Sequence, residues 1–199
     1  MNFLAHSLLG NNNWGLEVGG IMGDFVHGKP DPALPADLRR GILLHRAVDS
    51  YTDQHPQVLA AKALFMPPWR RYAGIMLDVW FDYYLAREFE TWSALPLDTF
   101  SQRLQQRLDS CDMWLSPGLR RFAGWMRQHD APASYQYTSV IDAVFDGISA
   151  RLSRSNPLAD ALPVLLAQDA LLKQHFDVFF PQLVTFARQW RALHDAHDA

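Results

Sequence analysis

An all-α fold is predicted by three features of this 199-residue sequence. Apolar residues recur at the three-and-four spacing of a helix along nearly the whole chain. Alternating runs of β-branched residues, which a half-buried strand needs, are nearly absent. Proline pairs and Ser-Pro or Asn-Pro steps interrupt the pattern where helices would begin. The length suits a single domain, residues 1–199, packed as a helical bundle. With 49% hydrophobic and 20% charged residues, the chain can bury a core and does not read as disordered.

The pattern places helices at 2–10 and 14–27. The second contains Gly19, Gly20 and Gly23, each costing about 1 kcal/mol relative to alanine in a helix interior. That expense makes sense where backbones must approach closely, or where Asp24 must reach into a crowded site. Gly28 to Pro35 is too proline-rich to continue a helix. Helices follow at 37–54 and at 56–65, with His55 as a cap ahead of Pro56. Pro67-Pro68 introduces 68–90, and 97–114 comes next. Ser116-Pro117 opens 118–129, 134–153 follows, Asn156-Pro157 opens 157–169, and 171–195 is the last helix.

Several function classes are disfavoured at this level. Eighteen basic against 21 acidic residues leave a net charge of −3, a poor match for nucleic acid or an anionic membrane. No run of about 18 apolar residues is free of charge, so no membrane span is expected, and the N-terminus lacks the pattern of a secretory signal. The single cysteine, Cys111, excludes an internal disulfide framework and fits a reducing, cytoplasmic setting. There is no P-loop, GxGxxG, GxSxG or HExxH motif.

Chemistry concentrates in the first 85 residues. Asp78 and Asp82 lie one turn apart on an otherwise apolar helix, where two like charges repel and burial of either needs compensation. A divalent metal would supply it; so would Arg71, two turns back, in a carboxylate–arginine brace. In the block GILLHRAVDSYTDQHP (41–56), a wheel puts Leu43, Leu44, Ala47, Val48 and Tyr51 on one arc. His45, Arg46, Asp49, Thr52 and Asp53 take the other. His45, Asp49 and Asp53 form an i, i+4, i+8 stripe able to converge on one ion, unless it is simply a solvated face. Imidazole with carboxylate suits Mn²⁺, Fe²⁺ or Zn²⁺ better than Ca²⁺. Asp24 and His6 are further candidates, the alternatives being an exposed acid and a hydrogen-bonded core histidine. Asp142 and Asp146 form a lesser carboxylate pair.

Taken together, MNFLAH (1–6), GDFVHG (23–28), GILLHRAVDSYTDQHP (41–56) and the Asp78/Asp82 helix resemble the acyl carrier protein phosphodiesterase family. That family is similar to the HD-type metal-dependent phosphohydrolases, which are all-α. The resemblance implies hydrolysis of the phosphodiester joining 4′-phosphopantetheine to a serine of holo-acyl carrier protein, with manganese as the usual ion and Mg²⁺, Fe²⁺ or Zn²⁺ as others. Carried onto this chain, it implies metal ligands among His6, Asp24, His45 and Asp78, with Asp53 a further candidate. Asp49 or Asp82 would position water or take its proton, and Arg46 would grip a phosphate oxygen. The His-Asp dipeptide of ordinary HD domains is absent, since Arg46 follows His45, so ligands are expected from different helices. An acidic carrier protein would dock on basic patches at Arg39-Arg40, Arg70-Arg71 or Arg120-Arg121, with Arg151 and Arg154 behind them, unless these are ordinary solvated faces. Two other readings remain open: a phosphohydrolase of nucleotides or another small diester, and a helical binding protein with a structural acidic cluster.

Overall fold

The structure, a computed structural model, describes residues 2–195. Eleven α-helices and no strand occur among the described residues. The helices are α1 (Phe3–Leu8), α2 (Trp14–Met22), α3 (Ala36–Gln54), α4 (Pro56–Ala63), α5 (Ala73–Arg87), α6 (Phe89–Trp92), α7 (Leu97–Ser110), α8 (Pro117–Gln128), α9 (Thr138–Arg151), α10 (Ala161–Ala167) and α11 (Asp169–Asp195). No described helix is long and apolar enough to cross a membrane.

Helix starts follow local chemistry. The Asn13 side chain accepts from the Leu16 amide at 3.0 Å, and Ser116 from Leu119 at 3.2 Å. His55 caps α4 through Nδ1, which accepts from the Gln57 amide at 3.2 Å ahead of Pro56. Several segments with continuous helical patterns are divided, two of them in the half that carries the candidate residues. The 14–27 stretch ends its α-helix at Met22 and tightens into a 3₁₀ turn, Gly23–Phe25. The 68–90 stretch becomes a 3₁₀ turn at Trp69–Tyr72, then α5, then the one-turn α6.

The glycines of α2 are explained by close approach. A Cβ on Gly19 would sit 2.7 Å from the Gly41 Cα, and one on Gly41 would sit 2.7 Å from the Gly19 Cα. With side chains absent, α2 lies directly against α3, the most extensive helix pairing in the molecule. Opposite them, α5 is buried around nearly its full circumference by Met76, Leu77, Val79, Trp80, Phe81, Tyr84 and Leu85. It packs against α1, α4, α9, α10 and α11.

α3 is rotated relative to its apolar arc. The sequence pattern turns Leu43 inward, yet Leu43 is 42% exposed while Ile42, His45 and Thr52 are buried. Because α2 covers one flank of α3 and α11 another, the buried arc swings toward His45. The polar stripe therefore lies at the edge of the core rather than on an open face.

Candidate metal centre

Three short pieces of chain meet at this edge. α1 brings His6, the 3₁₀ turn brings Asp24, and α3 brings His45 and Asp49 at i, i+4. The His6 and His45 rings stack with centroids 3.9 Å apart. His6 Nε2 lies 3.1 Å from Asp49 Oδ1, and His45 Nε2 lies 3.0 Å from Asp49 Oδ2. Asp24 Oδ1 is 3.6 Å from His45 Nε2. Donor atoms of His6, His45 and Asp49 all fall within 4.8 Å of one another. Both imidazoles are buried, whereas the Asp49 and Asp24 side chains are 42% and 49% exposed. The centre thus has a nitrogen floor and an oxygen mouth open to solvent.

The His45 tautomer follows from its partner. Nδ1 lies 2.7 Å from the Gly20 carbonyl oxygen, which can only accept, so Nδ1 carries the hydrogen. Nε2 then presents a lone pair toward two carboxylates unless a second proton or a cation intervenes. A methyl group on Gly23 would overlap the His45 ring, so residue 23 must be glycine for the ring to occupy this place. This is a donor set that fits a divalent ion: two imidazoles, one fixed by a backbone carbonyl, plus carboxylate oxygen.

Burial, followed by the nearby His45 charge, lowers the His6 pKa to about 4, which keeps it neutral. Burial alone would lower His45 as well, but its hydrogen bond to Asp49 and the Asp49 and Asp24 charges outweigh that and raise it. Burial opposes ionisation of Asp49, yet the hydrogen bonds from His45 and His6 hold its carboxyl well below the usual range. Asp24 is raised by burial, with Asp49 and Asp78 adding repulsion.

A family profile described as acyl carrier protein phosphodiesterase matches residues 1–183. The chain belongs to the acyl carrier protein phosphodiesterase family. Its similarity to curated members extends over nearly its full length. An acyl carrier protein phosphodiesterase of Klebsiella pneumoniae (strain 342) is 32% identical over 188 residues, spanning 94% of this chain and 97% of the relative. Proteins of the same name from Enterobacter sp. (strain 638) and Escherichia coli O157:H7 are each 31% identical, over 189 and 191 residues, covering 94% of this chain and 98% and 97% of theirs. No solved structure gives a significant match. Family membership places the chain among the phosphodiesterases, which are hydrolases.

The remaining candidates of this phosphodiesterase lie at graded removes from the centre. Asp78, half-buried on α5, acts electrostatically on Asp24 and Asp82. Asp82 is fully buried beneath α1, where its Oδ2 accepts from the Leu4 amide at 2.8 Å and its Oδ1 from Ala5 at 3.2 Å. Backbone dipoles, not Arg71, therefore face this carboxylate; Arg71 is exposed, with its guanidinium 5.8 Å from the Tyr72 ring centroid. Asp53 points away and pairs with Lys62 at 2.9 Å, so the stripe on α3 contributes His45 and Asp49 and stops there. Arg46 donates to the Val26 carbonyl at 2.8 Å, tying α3 to the chain just after Asp24.

Arg39 is occupied by the Pro32 and Leu34 carbonyls at 2.8 and 2.6 Å, holding the proline loop, and Arg40 pairs with Asp37 at 3.1 Å. Arg70 is exposed in the turn before α5, and Arg120 pairs with Asp112 at 3.0 Å. Sequence reasoning did not find the Gly20 carbonyl, because a backbone acceptor leaves no side-chain signature. Nor did it single out Glu17, a fully buried acid held by Arg103 at 2.9 Å, by Arg107 and by the Asn12 amide at 3.1 Å. A lone acid within the apolar, glycine-rich run of α2 was the available signal.

Proposed function

We propose that this chain hydrolyses the phosphodiester between 4′-phosphopantetheine and the serine of holo-acyl carrier protein, releasing apo-protein. The observation that carries the mechanism is the convergence of two buried imidazoles on Asp49 at a solvent-open mouth. His6, His45 and Asp49 would hold a divalent ion, with Mn²⁺ the favoured one and Mg²⁺, Fe²⁺ or Zn²⁺ alternatives. Asp24 would complete the set, and Asp78 would add negative field behind it. Such an ion supplies charge stabilisation for the phosphoryl oxygens and a water of lowered pKa.

The chain's own groups do the rest. Neutral His6 keeps a lone pair for the ion. Gly20 fixes the His45 ring, so its Nε2 faces the mouth. Asp24, half-exposed at the mouth, is placed to orient the attacking water. One edge of Arg46 is spent on Val26, which leaves other N–H groups to meet a phosphate oxygen beside Asp24. Asp82 acts through α1, by holding the amides that precede His6. The sole cysteine, Cys111, is buried and unbridged, in keeping with work in the cytoplasm.

The test is to incubate the protein with holo-acyl carrier protein and Mn²⁺, with an EDTA control, and weigh the carrier protein by mass spectrometry. Loss of one phosphopantetheine mass, only with metal, is expected. An unchanged mass with folded, metal-loaded protein would remove the proposal and leave nucleotides or another small diester as the substrate to try.

A further inference from the structure

Among the described residues, the C-terminal half of the chain contributes no charged group to the metal centre, but α8 brings a row of rings to its rim. Phe122 and Trp125 on α8 and His129, its C-cap, recur at i, i+3, i+7 along one flank. Phe122 lies 4.2 Å from Phe3 and 5.8 Å from Phe25, centroid to centroid. From there the row continues to Trp125, stacked at 5.8 Å, and to His129, stacked at 4.7 Å. Phe25 directly follows Asp24 on the same 3₁₀ turn, and Phe3 is three residues before His6 on α1. The row therefore starts at the metal centre and leads away from it.

These rings pack against the edge of the core rather than filling it. Leu119, Ala123 and Met126 are buried and form its inward face, while Phe3, Phe25, Phe122 and Trp125 remain half-exposed. Each of these rings packs one side against the core, and the faces left over form a partly exposed aromatic row that begins at the metal centre, a surface suited to being covered by another group.

We propose that this row is the subsite for the organic arm of the substrate, an extended chain of methylenes and amides leaving the phosphate; the inference rests on the reaction proposed above. Aromatic faces suit such an arm. They cover its methylene groups, and amide planes and N–H groups lie favourably against π faces. The continuity of the row with Asp24 and His6 points to the arm rather than to the carrier protein's own surface, because the arm is attached directly to the phosphate.

The test compares 4′-phosphopantetheine with inorganic phosphate as competitive inhibitors of the Mn²⁺-loaded enzyme, and measures their binding by calorimetry. In the wild type, 4′-phosphopantetheine should bind at least tenfold more tightly than phosphate. Trp125→Ala and Phe122→Ala should shrink that margin at least fivefold and raise KM for holo-acyl carrier protein more than they lower kcat. Trp125→Phe should restore most of the margin, and it serves as the readout if the alanine variants fold poorly. An unchanged margin in folded variants would make the row mere packing and overturn the subsite. Weakened inhibition by apo-carrier protein with an intact margin would reassign the row to protein docking. A wild type that binds 4′-phosphopantetheine over phosphate yet never cleaves the holo-protein would defeat the reaction and leave the subsite standing.

Discussion

Asp82 offers the sharpest separation between a bracing carboxylate and a reacting one. α1 has only six residues and its N-cap, Asn2, makes no side-chain cap hydrogen bond. A helix that short is marginal by itself, since unsupported helices need about 12–15 residues. Its Leu4 and Ala5 amides are instead capped by Asp82, more than seventy positions away. Hydrogen bonds to a charged acceptor contribute about 1.5–3 kcal/mol each, and an orphaned buried amide costs about 1–3 kcal/mol. Against this, burial pushes the Asp82 pKa up to about 7, despite both amides favouring the ionised form. That rise is a charge penalty that grows as pH climbs toward neutrality and is relieved when the carboxylate is removed. Asp82→Ala should be destabilised by about 1–3 kcal/mol, the cost of an orphaned buried amide, with less loss at pH 8 than at pH 6 because removing the carboxyl also relieves a charge penalty that grows with pH. Asp82→Asn keeps one acceptor and should lose about half as much. Because His6 follows these amides by one and two residues, fraying of α1 should also weaken Mn²⁺ binding at least tenfold. Urea unfolding at the two pH values and titration with Mn²⁺ would measure both effects. Unchanged stability and metal affinity together with lost turnover would refute the bracing argument and put Asp82 among the reacting groups.

Other outcomes follow from the same geometry. Gly23→Ala should displace the His45 ring and lower Mn²⁺ affinity at least tenfold while the helical circular dichroism persists; native affinity would show that the close contact is not required. Mn²⁺ at one hundred times its Kd should stabilise the wild type by about 2.7 kcal/mol in thermal unfolding, and His45→Ala or Asp49→Ala should abolish that gain. In the metal-free protein, the raised His45 pKa stabilises fully below about 6.5 and is lost as pH climbs through the folded value. The stability difference between wild type and His45→Gln should therefore fall as pH rises above about 6.5, by at most about 1.4 kcal/mol per unit; a difference that grew with pH would contradict the assignment. Metal affinity should move the opposite way and rise with pH, because the ion and the proton compete for the same Nε2.

The sequence by itself determined the helical architecture, because three-and-four periodicity and proline punctuation act within a few residues. It also determined the stock of donors, since imidazole and carboxylate at i, i+4 on one helix must be neighbours whatever surrounds them. His45 and Asp49 were legible for that reason, and His6 and Asp24 through the motifs that carry them. Only tertiary structure decided how the donors divide. Asp53 continues the stripe on paper, but Lys62 on α4 claims it. Asp82 sits one turn from Asp78, yet α1 lies over one and leaves the other half-exposed. Leu43 and His45 exchange expected places because α2 and α11 flank α3, and a helical wheel knows nothing of its neighbours. The ring row from Phe25 to His129 joins residues about a hundred positions apart, and only packing of α8 against the first helices assembles it. Local pattern fixes which groups a helix can present; which of them meet is set by the close packing of elements distant along the chain.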